Sequence, residues 1–155
     1  MGLWKRLLVV LGIASASTAP TAASDLAAKA AYAAQQAVVT AKNVDGTILD
    51  YSPASLKQID RIVLGLRREG QKPEQLPGIL FILGAYVGEV MVRNVKGASW
   101  TDPPKELREA GLTVMGVTTS DGTFWNPVGK VHKLLMNGEE DSVAYFFDVV
   151  STKGR

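Results

Sequence analysis

The sequence predicts an α+β fold: a helix-rich single domain with a central apolar helix and a small antiparallel sheet in the second half. Three observations carry that expectation. Apolar residues recur at helical spacing through the first half. The run from Gly78 to Gly88 contains no charge. After residue 97, short segments rich in Val, Thr and Trp alternate with Gly and Pro, as strands and turns do.

Taken in order, Ser24 and Asp25 are placed to cap a helix running to Lys42, where alanine is frequent enough to favour helix strongly. Small side chains of that kind suit close packing on a second helix. Asp45-Gly46 ends it, and Thr47–Tyr51 reads as an extended link or edge strand. Ser52 followed by Pro53 is a helix start. Leu56, Ile59, Ile62, Val63 and Leu66 then define one buried face, with Arg67-Arg68-Glu69-Gly70 as the stop. Pro73 or Pro77 opens the apolar helix, which runs to about Asn94 and is apolar nearly all round.

Strands are expected at Ala98–Thr101, Leu112–Thr118 and Thr123–Trp125, with Ser120-Asp121-Gly122 as the hairpin turn between the last two. Lys105–Ala110 has room for one helical turn. Asn126-Pro127 begins another helix, with Val128, Val131, Leu134 and Leu135 on one face, and Asn137-Gly138 stops it. Glu139–Asp141 place acidic residues where a final helix over Ser142–Val150 would start. Residues 151–155 read as a loose tail.

Composition bounds function mainly by exclusion. The 155 residues suit one domain, expected over residues 24–150, and 46% hydrophobic with 21% charged residues is a globular balance. Seventeen basic against fifteen acidic residues give a net charge of +2 with no basic stripe, so no nucleic-acid partner is expected. With no cysteine and one histidine, His132, neither a metal site nor a cofactor is expected. No GxSxG nucleophile elbow is present.

Residues 1–23 have the three parts of an export signal. Lys5 and Arg6 are the basic part, Leu7–Ala14 the apolar part, and Ala14-Ser15-Ala16 or Thr21-Ala22-Ala23 the cleavage site. The expected location is therefore periplasmic or secreted. The cytoplasmic alternative has Trp4 and the leucines tucked against the domain. The apolar run is too short to span a bilayer, so no integral membrane span is expected.

Glu89 is the most informative residue, because a carboxylate in an apolar helix needs a partner, a proton or a cleft. Tyr86, Glu89 and Arg93 share one helix face within an arc of ~60°. The functional reading is a cleft with a tuned carboxylate, Tyr86 as donor and Arg93 as anion anchor. The structural reading pairs Glu89 with Arg93 one turn on, and it is the favoured one. Gly84 and Gly88 lie on a different face, where another backbone can approach. Asp60, at the edge of its helix stripe, is a candidate to join Arg93 or Arg61, or to act with Glu89 as a second carboxylate. His132 is the candidate general base. Trp100 and Trp125 are expected in the core, with a sugar or peptide platform as the alternative.

Several segments in sequence order, Leu49-Asp50-Tyr51-Ser52-Pro53-Ala54-Ser55-Leu56 with Asp60, Leu83–Val90, Trp100, Asn126–Val131 and Asn137–Ser142, resemble a family of small bacterial proteins of unknown function. The resemblance spans about residues 25–150. It implies a helix-rich α+β domain and no established activity, and it puts Asp60, Tyr86 and Glu89 in its characteristic segments.

These readings lead to a non-enzymatic binding or accessory protein of the bacterial cell envelope, with another protein or a second copy as partner. Its candidate binding residues are Tyr86, Glu89, Arg93, Trp100 and Trp125. One alternative is a small hydrolase or lyase using Glu89 with His132 or Asp60. The other is a peripheral membrane protein held by an uncleaved N-terminal segment.

Overall fold

The computed structural model of the chain describes residues 22–153. Of the leader expected at residues 1–23, all but the last two residues lie outside the described residues, and with them the membrane-anchor alternative. The α+β class holds. Among the described residues, six α-helices, α1 (Ala22–Asp45), α2 (Leu56–Arg68), α3 (Pro77–Asn94), α4 (Lys105–Glu109), α5 (Pro127–Asn137) and α6 (Val143–Lys153), are joined by one small sheet. Its strands β1 (Ser99–Thr101), β2 (Gly116–Thr118) and β3 (Phe124–Trp125) pair antiparallel in the order β1-β2-β3.

The alanine-rich α1 begins at Ala22, ahead of the expected cap, so Ser24 and Asp25 lie inside its first turn. Ala30, Ala33, Ala34, Ala37 and Ala41 are buried along α3, where small side chains let two helix backbones come close. Thr47–Tyr51 forms no strand. The Asp45 carboxylate folds the chain back instead, accepting from the Thr47 N–H at 3.1 Å and from the Thr47 hydroxyl. The Ser52 hydroxyl accepts from the Ser55 N–H at 3.3 Å and starts a 3-10 turn, Pro53–Ser55, that leads into α2. All five residues of the predicted α2 stripe are buried. Both prolines upstream of α3 are used: Pro73 opens a 3-10 turn and Pro77 the helix itself.

Helix α3 is the axis of the fold. It packs on α1, α5, α6 and the first two strands, and it is buried almost without interruption from Ile79 to Met91. Its two glycines meet different neighbours. A Cβ on Gly84 would lie 2.5 Å from the Val128 Cα, so here another backbone does come close. A Cβ on Gly88 would lie 2.1 Å from the Trp100 ring. The second glycine therefore makes room for an indole, not for a backbone.

The strands are shorter than predicted. Only the last three residues of Leu112–Thr118 pair, and the Leu112 N–H instead closes α4, donating to the Leu107 carbonyl at 2.9 Å. The hairpin turn forms as expected around Gly122, whose φ of 82° few other residues adopt.

Glu139–Asp141 do not begin α6 but form a separate 3-10 turn. The anion at the α6 N-terminus is Asp60, reaching across from α2. It accepts from the Ser142 hydroxyl and the Val143 N–H, both at 2.7 Å, and from the Ala144 N–H at 3.4 Å. The expected partnership of Asp60 with Arg93 or Arg61 is replaced by this cap, since free helix N–H groups offer a carboxylate several donors at once. Helix α6 continues through Ser151–Lys153, so the first part of the expected loose tail is helical. Among the described residues, no helix is long and apolar enough to cross a membrane.

Gly84→Ala is expected to cost about 1–3 kcal/mol, because the new methyl meets a backbone that cannot swing aside. Gly78→Ala, with open space around it, is expected to be neutral or slightly stabilising. Denaturant unfolding of the two variants checks the contrast, and equal losses would contradict the packing argument.

Candidate functional site

Three segments converge around the middle and end of α3: the Tyr51–Ser55 link, α3 itself and β1. Glu89, 6% exposed, sits between them. Its Oε1 accepts from the Trp100 Nε1–H at 2.8 Å, and its Oε2 accepts from the Arg93 Nε–H at 3.1 Å. Both carboxylate oxygens are thus occupied. Gly88 makes this possible, since the indole reaches Glu89 by lying over the neighbouring glycine.

The two donors differ in weight. Arg93 is 47% exposed along its side chain, and an ion pair at that exposure contributes little after solvent screening. The Trp100 indole is 5% exposed, so losing its acceptor would strand a buried N–H. The Trp100 bond is the one that matters to stability.

Tyr86, one turn before Glu89, makes no bond to it and serves a second network. The Tyr51 N–H donates to the Tyr86 hydroxyl oxygen at 2.8 Å. That hydroxyl lies 2.6 Å from the Ser55 Oγ, whose own proton goes to the Ser52 carbonyl at 2.6 Å. With the serine proton so used, Tyr86 must be the donor to Ser55. The relay runs in one direction, from the Tyr51 amide through two hydroxyls to a backbone carbonyl. Burial pushes the Tyr86 hydroxyl above its ordinary value of 10.0, against the bond from the Tyr51 N–H that lowers it.

Tyr51 joins the two networks. It stacks on Tyr86 at 5.0 Å between ring centroids, and the Arg93 guanidinium carbon lies 3.6 Å from its ring centroid. Its φ of 62° is unusual for a residue with a large side chain. The strain is offset by bonds at both ends of the residue: its N–H on Tyr86 and its carbonyl accepting from the Asn94 Nδ2 at 2.9 Å. Burial also raises the Tyr51 hydroxyl, with Arg93 lowering it and Glu89 raising it further.

The remaining candidates are placed elsewhere. Asp60 is engaged at the α6 N-terminus. His132 is exposed on α5 and makes no contact with Glu89 within hydrogen-bond reach. Trp100 is enclosed, and Trp125 is half-buried, donating to the Thr119 hydroxyl at 3.0 Å and packing edge-on against Phe146. Among the described residues no three His, Cys, Asp or Glu side chains gather as a metal site. Tyr51, Ser55 and Asn94 were not singled out from the sequence as site residues, although the first two lie in the Leu49–Leu56 motif.

A protein-family profile described as a family of unknown function (DUF6278) matches residues 11–130. The match begins ahead of the described residues and stops before the Asn137–Ser142 motif. No curated protein and no solved structure matches the chain.

Glu89→Ala is expected to cost about 1–3 kcal/mol, and Arg93→Ala less than about 1, because only the first strands a buried donor. Chemical denaturation of both variants tests the ranking; a larger loss for Arg93→Ala would contradict it. Tyr86→Phe is expected to cost about 1–3 kcal/mol at neutral pH by leaving the Tyr51 N–H without its acceptor and the Ser55 hydroxyl oxygen without its donor. The sign of the pH effect follows from a raised folded value: stability is full below pH 10 and falls as pH rises toward the folded value. Melting temperature across that alkaline range should therefore fall less steeply in Tyr86→Phe than in the parent chain.

Proposed function

The chain belongs to the DUF6278 family of unknown function, and we propose that it is a non-enzymatic binding or accessory protein of the bacterial cell envelope. Its partner in this reading is another protein or a second copy of itself. The observation that carries the proposal is the state of Arg93. Glu89 holds its Nε–H from below and the Tyr51 ring lies against its face, while the side chain is 47% exposed. The two terminal nitrogens bond to no other group among the described residues. A guanidinium held on two sides with its fork free is preorganised to grip a carboxylate of a partner, with less ordering entropy left to lose.

The same contacts weigh against the hydrolase or lyase reading. A general base must come within reach of the reacting group, whereas Glu89 is 6% exposed and tied to Trp100 and Arg93. Asp60 is committed to a helix end and His132 faces solvent on another helix.

The test is in-cell photo-crosslinking from position 35, whose side chain accepts from the Tyr51 hydroxyl at 3.3 Å. A discrete protein adduct is expected from the full-length chain, and its yield should drop about tenfold in Arg93→Ala, as loss of a charge-assisted anchor predicts. An adduct indifferent to Arg93→Ala, or none at all, would overturn the reading.

A further inference from the structure

We propose that the cleft between the C-terminal ends of α2 and α5 binds the carboxy-terminal end of a partner polypeptide whose last residue is apolar. The inference rests on the chain being a binding protein, but it draws on none of the residues around Glu89. The cleft has a volume of about 600 Å³, within the range of built ligand sites. Its lining presents three chemistries together, and a polypeptide terminus offers the complement of each.

The first is cationic. Arg67 is held in place through Nη1, which donates to the Leu135 carbonyl at 2.9 Å and to that of Met136 at the negative end of α5. Arg68 and Lys72 remain, and neither forms an ion pair with a described residue. Glu139 is the single acidic residue of the lining. Two free cations against one carboxylate favour an anionic ligand.

The second is a neutral hydrogen-bonding pair. Gln71 lines the cleft at 8% exposure, and its side-chain amide bonds to no described residue. Every described side-chain polar atom sealed from solvent has a partner, so this amide keeps contact with solvent at a residue that lines the cleft. A primary amide both donates and accepts, which matches the C=O and N–H of a peptide group. The third is apolar: Leu64, Pro73, Leu135 and the 52% exposed Met136. An inorganic anion would satisfy the cations and leave the amide and this apolar wall unmatched. A free carboxylate, the peptide group beside it and an apolar side chain meet all three, in the manner of terminal-carboxylate capture.

The experiment is a titration of the ¹⁵N-labelled full-length chain, followed by amide resonances. The probes are N-acetyl-Ala-Ala-Leu as free acid, the same peptide as carboxamide, and sodium acetate. The free acid should shift the Gln71 side-chain NH₂ and the Gly70 and Gly138 amides saturably, and bind about tenfold more tightly than the carboxamide. Gln71→Leu should weaken the free acid several-fold, and joint Arg68→Ala and Lys72→Ala should bring it down to the carboxamide. No saturable shift, equal binding of the carboxamide, or shifts reproduced by acetate would each overturn the proposal. Arg93→Ala should leave this binding unchanged, so failure here is distinguishable from failure of the Arg93 contact.

Discussion

A carboxylate in the middle of a helix that is packed on nearly every side has to be met by donors, and at Glu89 that demand organises its surroundings. The Trp100 indole satisfies one oxygen and in doing so fastens β1 to α3. It can reach only because residue 88 has no side chain. Gly88, Glu89 and Trp100 therefore act as one unit, a gap, an acceptor and a donor, and changing any of them disturbs the other two. Arg93 meets the second oxygen from the solvent side, where the contact guides position more than it adds stability.

The hydroxyl relay through Tyr86 does comparable work on the opposite connection. It ties the Tyr51–Ser55 link, and hence the start of α2, to α3 by hydrogen bonds whose direction is set by the single proton on Ser55. Tyr51 is held in a left-handed backbone conformation by this relay and by Asn94. Its ring is thereby laid flat between Tyr86 and Arg93. Rigid positioning of an exposed guanidinium is thus a by-product of two buried networks, and that couples the stability of the core to the proposed recognition surface.

Asp60 illustrates how a candidate catalytic group becomes an architectural one. On its own helix it is a carboxylate at the edge of the apolar stripe. In the fold it meets three donors at the start of α6, eighty-odd residues away in the chain. Arg67 does the reverse job at the end of α5, donating to two final carbonyls. Asp60 and Arg67, both on α2, are thus matched by sign to the helix ends they touch.

Much of the fold was legible because local rules decided it. The α2 stripe, the proline starts, the stops at Gly46 and Gly138 and the turn at Gly122 all follow from spacing and backbone preference within a few residues. The Glu89–Arg93 pair was legible for the same reason, being one turn apart on a helix. What the sequence could not reveal were contacts between segments distant in the chain: Trp100 on Glu89, Tyr51 on Tyr86 and Arg93, Asp60 on α6, and Gln71 in its cleft. Periodicity specifies which face of an element is buried, but not which donor from another element arrives there. That choice depends on how whole helices pack, and so only the tertiary structure made it.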